Sequence, residues 1–403
     1  MKNTALLSLT FLVIACTSKE GAPNISSLHA PTGSQASLPH LFTGEDNNLY
    51  LSWVEKGDSN MVTLYYATMK NDSWSTPESI ASGTDWFVNW ADYPMIAVDK
   101  EGNMVAHFLA KSSSGTYSYD VNVMYKPTGG KWIGPVIPHT DGTPTEHGFT
   151  TLLPQNDGTF LVAWLDGRNT STTRHEGHDM HESGGAMTIR SAVLDMQGNL
   201  TQEVELDNRV CDCCQTAGAL TSAGPAIAYR DRSAYEIRDM AMVRWKNGSW
   251  TEPTNASIDN WHITGCPVNG PRLSAIENTL GMAWFTAANG QPKVNVRFSS
   301  DAGETFGNTI EVATETVGRV DLAMIDSSSA AVSWLAANDT ASYIMTCRVN
   351  TDGTKSAPLI VTQTSASRAS GFPQLTRWKN KNYFAWTHVD ENTTAVKMAV
   401  VEE

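Results

Sequence analysis

Several things are scarce in this chain of 403 residues, and each scarcity narrows what it can be. Beyond the first sixteen residues no apolar run is long enough to span a bilayer as a helix. Helical periodicity is nearly absent: apolar residues fall in short continuous runs or alternate, which argues against an α/β scheme. Positive charge is outnumbered, with 28 Lys and Arg against 42 Asp and Glu and a formal net charge of −14. A surface that acidic repels nucleic acid and anionic lipid, so neither is an expected partner through charge. Cysteine is the scarcest of all. There are six, yet three of them, Cys211, Cys213 and Cys214, stand within four residues, in Arg209-Val-Cys-Asp-Cys-Cys-Gln-Thr216.

The first residues read as a targeting segment. Lys2 supplies a positive start and Ala5 to Ala15 a short apolar stretch. The ending Val13-Ile14-Ala15-Cys16 resembles the bacterial lipoprotein signal box. That resemblance implies cleavage before Cys16, lipidation of Cys16 and an exported, lipid-anchored protein of the cell envelope, in the outer membrane if the cell is Gram-negative. Residues 17–23 then form a tether and 24–403 a single folded domain. Outside the cytoplasm thiols pair or bind metal, and the five remaining cysteines are odd in number.

A repeat runs through that domain. Short apolar strands ending in an aromatic recur at Trp53, Phe108, Trp164, Tyr229, Trp284, Trp334 and Trp386, spaced 55, 56, 65, 55, 50 and 52 residues apart. Each is preceded by another strand, such as Leu-Pro-His40 or Gly-Pro-Arg272, and followed by two more. The plan is all-β, a propeller of four-stranded antiparallel blades, seven by this count, with six plus a partial sheet as the alternative. The seventh unit has only three strands, and Asn24 to Ala30 is expected to supply its outer one.

Antiparallel order sorts the connections onto two faces. One carries short Gly, Asn and Asp turns. The other carries Asp85 to Asp92, His139 to His147, the insertion after Arg168, Arg209 to Gln215, Arg230 to Asp239 and Asn260 to Cys266. Seven of the ten histidines fall on it. Loops at the mouth of a propeller channel are where binding is expected.

Ser299-Ser-Asp301-Ala-Gly303-Glu-Thr305-Phe306 resembles the Asp box of the sialidase-like propeller superfamily. In that family the motif is structural. Asp301 would cap the turn, Gly303 would take positive φ and Phe306 would pack between sheets, with Ser299 and Thr305 completing the box. The resemblance implies carbohydrate as partner, in a monomeric protein, although the family's first-arginine signature R-I-P is absent. No substrate arginine therefore carries over by position.

Four constellations carry the chemistry. Arg230, Arg232 and Arg238 share a loop with Asp231, Tyr235 and Glu236, so the arginines are assigned to an acidic sugar and Glu236, Asp231 and Tyr235 to glycoside cleavage. The alternative is a network that stiffens the loop. Trp86, Trp261 and His262 are assigned to substrate, with inter-blade packing the alternative for the tryptophans. His175, His178 and His181, at steps of three, form a candidate metal set. Cys211, Cys213, Cys214 and Cys266 form either disulfides or a thiolate site for zinc or copper. The main reading, glycan cleavage, needs no cofactor. Its rivals are a lyase acting next to a uronate through His147 or His262 with Tyr235, and a non-catalytic metal, redox or scaffold propeller.

Overall fold

The aromatic strand becomes the second strand of a sheet seven times over. A computed structural model describes residues 23–170, 185–391 and 393–402 and contains seven four-stranded antiparallel paths, two of them with a fifth strand off the path. The first strands are Ala36–Thr43, Ile96–Val98, His147–Pro154, Ala217–Thr221, Arg272–Ile276, Thr316–Asp326 and Gln374–Trp378. Residues from all seven line one central cavity, so these strands are innermost and the sheets are blades 1 to 7 of a propeller. The six-bladed alternative is excluded.

Blade 7 takes its outer strand from the other end of the chain. Asn24–Leu28 pairs antiparallel with Thr393–Glu402, from Asn24 opposite Glu402 to Leu28 opposite Met398. Blades 1 and 4 have outer strands broken in two, Ser73–Trp74 with Glu78–Gly83 and Ser249–Trp250 with Thr254–Asn255. Each break falls at a proline, Pro77 or Pro253, which has no N–H for the ladder.

The core lies between blades, where second and third strands pack face to face. Trp53, Trp164 and Trp284 are wholly buried there. Each indole N–H finds a carboxylate: Glu55 at 2.7 Å, Asp166 at 2.8 Å and Asp259 at 2.7 Å. A buried indole needs such a partner, which explains Glu55 and Asp166 beside otherwise apolar runs, while Asp259 reaches Trp284 from the preceding crossover.

In blade 5 the turn after Lys293–Ser299 is tied by its own side chains. Asp301 accepts from the Thr305 amide at 2.8 Å and hydroxyl at 2.7 Å, and Gly303 has φ +82° and donates to Ser299 Oγ at 2.8 Å. Phe306 packs, half-buried, on the core between blades 4 and 5. The turn lies on the face with the short connections.

Removing residues 23–28 would leave Thr393–Glu402 as an open edge. The shortened protein is expected to lose about 2 kcal/mol or more in chemical denaturation and to associate in light scattering as concentration rises. Unchanged stability and a monomer at all concentrations would show that ring closure is dispensable.

Candidate functional site on the loop-rich face

The crossover from blade 3 to blade 4 is pinned before it carries any chemistry. The Cys211 amide donates to the Arg230 carbonyl at 3.0 Å. Gln215 donates to the Ala91 carbonyl at 2.7 Å and accepts from the Gly270 amide at 3.0 Å, which fixes the other end. Between these anchors, Cys211 Sγ lies 3.9 Å from Cys213 Sγ and 3.6 Å from Cys214 Sγ, with Cys266 of the next crossover nearby but outside this group of three. Cys211 and Cys214 are buried, Cys213 half-buried and Cys266 exposed. Of the two alternatives for these four cysteines, disulfides are not formed among the described residues. All five described cysteines stand as thiols, and the sulfur separations are contact distances, not bonds.

The arginine loop wraps this cluster. Arg238 donates to Cys211 Sγ at 3.3 Å and to Glu236 at 2.8 and 3.1 Å. Arg232 grips the same Glu236 at 2.7 and 3.0 Å and reaches Asp212 at 3.2 Å. Hydrogen bonds with Cys213 and Cys214, with Arg238 and Arg230 nearby, draw the Cys211 thiol well below its ordinary range.

This geometry revises the roles expected on that loop. Burial pushes the Glu236 carboxyl up, but hydrogen bonds from Arg232 and Arg238 outweigh it and hold the group ionised, clamped on both oxygens. It has no proton to give. Arg230 is 1% exposed and donates to the carbonyls of Asn269, Arg238 and Phe285 at 2.6–3.1 Å, so it ties blades 4 and 5 together and is closed to a sugar. Tyr235 is 83% exposed, outside the cluster. Asp231 is raised to about 6 by burial, against a bond from the Arg232 amide and with Asp207 and Asp239 nearby.

The tryptophans turn inward. Trp86 stacks on Phe108 at 4.2 Å, and buried Trp261 lies under the Arg230 guanidinium at 4.9 Å. Both pack, and neither offers a face to sugar. His262 is exposed at a bridge to Ile237. His175, His178 and His181 lie outside the described residues, as does Cys16.

Between blades 2 and 3, His139 and His147 stack at 3.8 Å with Asp120, Asp141 and Asp166 around them at 3.3–3.8 Å. Burial and the neighbouring His147 lower His139 to about 4. For His147 the carboxylates Asp120, Asp166 and Asp141 overcome burial and raise it. His147 is wholly buried, which removes it as a base for a glycan.

The cavity in the central channel, of about 360 Å³, holds the residues that the sequence reading missed. Arg272 donates to Tyr93 Oη at 2.5 Å and lies 3.6 Å from Asp321, which also accepts from the Leu322 and Leu375 amides. Gln374 donates to the same tyrosine at 3.2 Å. Burial, opposed by Arg272, raises the Asp321 carboxyl. Arg319 adds another cation on blade 6, held by the carbonyls of Ala366, Ser367 and Gly371 at 2.7–3.0 Å and stacked over Trp90. Among the described residues neither Arg230 nor Arg319 has a carboxylate within ion-pair distance, and they stand on the blades that flank Arg272. A signal was present in the sequence. His40, Met95, Arg272 and Gln374 each follow the proline of their unit, and all four line the cavity.

Several solved structures share this architecture. A protein described as of unknown function from Dyadobacter fermentans superposes with a TM-score of 0.54 at 12% identity, over 94% of this chain and 97% of that one. The endosialidase of phage phi92 gives 0.51 at 10% identity, over 94% and 69%. What this chain shares with that endosialidase is the propeller fold. Polysaccharide lyase Uly1 gives 0.50 at 10% identity, over 88% of each chain. No family model and no curated protein matches the sequence. At such identities the likeness carries the propeller and not the chemistry on its loops.

Glu236→Gln removes the carboxylate that two partly buried arginines share and is expected to cost about 3 kcal/mol in urea denaturation. A variant as stable as the parent would show that the clamp does not support the loop.

His40 and His107 each accept a backbone N–H on Nδ1, from Ile96 and Met95, both at 3.3 Å, and burial lowers both to about 3. Their folded values lie below the unfolded ones, so the unfolded chain takes up protons first as pH falls. Their stabilising contribution is complete above about pH 6.5 and drains towards pH 3, by about 1.4 kcal/mol per pH unit and histidine. Denaturation measured across this range should show that slope, and His107→Asn should flatten it. Equal slopes in both proteins would remove His107 from the acid limb.

Proposed function

We propose that this propeller is carbohydrate-active and takes an acidic sugar at the channel mouth, with Arg272 as the anchor for its carboxylate. The observation that carries the reading is a guanidinium facing a 360 Å³ cavity between two other buried arginines that lack carboxylate partners. Such a field favours an anion over a neutral sugar. Asp321 lies beside Arg272, and its raised carboxyl suits it to protonate the leaving oxygen of a glycosidic bond. Glycoside cleavage is therefore the reaction favoured, with the role moved from Glu236, Asp231 and Tyr235 to Asp321. The Val13-Ile14-Ala15-Cys16 box supports delivery to the cell envelope with a lipid anchor.

A panel of acidic and neutral glycans tests this directly. Acidic members should be retained selectively. Arg272→Ala should weaken that binding by roughly 10- to 100-fold, in keeping with one hydrogen-bonded charge. Asp321→Asn should retain binding and lose about 10²- to 10⁴-fold in turnover. Equal retention of neutral glycans, or an Arg272→Ala variant that binds as before, would overturn the site. Unsaturated products absorbing in the ultraviolet would replace hydrolysis by elimination at the same anchor.

A further inference from the structure

The thiols of the blade 3 to blade 4 crossover play no part in that reading, and their arrangement asks for an explanation of its own. Three sulfurs brought together by one four-residue stretch have two simple fates, oxidation to a disulfide or ligation of a metal ion. Their spacing is not that of the first and fits the second. A disulfide needs sulfurs about 2.05 Å apart. Sulfurs that share a tetrahedral ion at a metal–sulfur distance of about 2.3 Å stand about 3.8 Å from one another. The observed separations are 3.6 and 3.9 Å. One sulfur position of each of the three cysteines lies within 4.8 Å of the others.

We propose that Cys211, Cys213 and Cys214 form a preorganised thiolate site for a thiophilic d¹⁰ cation, zinc(II) or copper(I), with Cys266 of the next crossover closing it as fourth ligand. The ligand type decides the class of ion, since thiolates without imidazole select soft metals over calcium or magnesium. Each thiol surrenders its proton to solvent as its sulfur binds, and no oxidant or reductant enters.

The surroundings are those a metal–thiolate centre needs. Three or four thiolates bring more negative charge than either cation removes, and the Arg238 donor on Cys211 Sγ at 3.3 Å offsets part of it. Such a hydrogen bond to a ligand atom orients the ligand and tunes the centre. Arg238 is in turn held by Glu236, and Arg232 by Glu236 and Asp212, so the donor is fixed in place. The gradient of exposure gives a way in. Cys211 and Cys214 are buried at the base, Cys213 is half-buried, and Cys266, outside the group of three sulfurs, is exposed at the entrance. An ion can be captured at the outer thiol and passed inward. The proposal is independent of the glycan site, because Arg272 and the cavity contribute no ligand to it.

The test uses the full chain, purified anaerobically with its thiols reduced. Zinc(II) and copper(I) are added separately against chromophoric chelators, and cobalt(II) serves as a spectroscopic probe. One equivalent of zinc(II) or copper(I) should be retained, protecting Cys211, Cys213 and Cys214 from alkylation while Cys347 keeps its own rate. Cobalt(II) should give the near-ultraviolet sulfur-to-metal bands of thiolate ligation. Cys213→Ser should lower affinity at least 100-fold. Cys266→Ser, at an exposed position where folding is not at risk, should lower it roughly tenfold with an unchanged melting temperature. Cys347→Ser should change nothing. The proposal fails if folded, reduced protein yields both ions completely to the chelators. It also fails if Cys211, Cys213 and Cys214 alkylate equally fast with and without metal, or if the protein isolated without reductant carries a Cys211–Cys214 bond and binds neither ion after reduction.

Discussion

The antiparallel pairing of Asn24–Leu28 with Thr393–Glu402 is the contact on which the rest of the structure depends. Four-stranded blades twist, and seven of them enclose a channel of defined width only if the ring is shut. Once it is shut, first strands line the channel, turns of low chemical content collect on one face, and crossovers and long loops collect on the other. The position of every reactive side chain described above follows from that sorting.

Within this frame, arginine serves two purposes that look alike in a sequence. Arg230 and Arg319 spend their donors on backbone carbonyls of neighbouring crossovers and stack on Trp261 and Trp90. Their planar forks satisfy several buried carbonyls at once, which a lysine ammonium does less well. Arg232 and Arg238 are paired with carboxylates, and Arg238 also with a thiol. Arg272 alone among these five lines the cavity. The binding proposal rests on that distinction, because charge bound to carbonyls still contributes to the field while the side chain itself is out of reach.

The fold was legible because it repeats. Seven aromatic strands at a near-constant spacing and a three-stranded last unit leave few other arrangements. The gathering of the cysteines was legible for the same reason, since strand order alone places Cys211 and Cys266 on adjacent crossovers. Roles within the loops were not. Whether Trp86 faces a sugar or Phe108, and whether Arg230 meets a substrate or the Asn269 carbonyl, is decided by packing between segments distant in the chain. The channel residues lay in plain view after the prolines of the first strands, but a polar residue in an otherwise apolar inner strand acquires its meaning only when the ring brings Arg272, Asp321, Tyr93 and Gln374 together.

Gln215 gives this arrangement a mechanical property. It directly follows Cys214, and its amide bridges the Ala91 carbonyl, on the approach to blade 2, and the Gly270 amide, on the approach to blade 5. The next residue, Thr216, lines the channel cavity and is bonded to Thr151 and to the Phe149 carbonyl, both at 2.7 Å. Two peptide units therefore separate the sulfur cluster from the cavity wall, and both ends are held. One short, doubly anchored segment thus belongs both to the sulfur cluster and to the cavity wall, and its hydrogen bonds tie it to the approaches to blades 2 and 5.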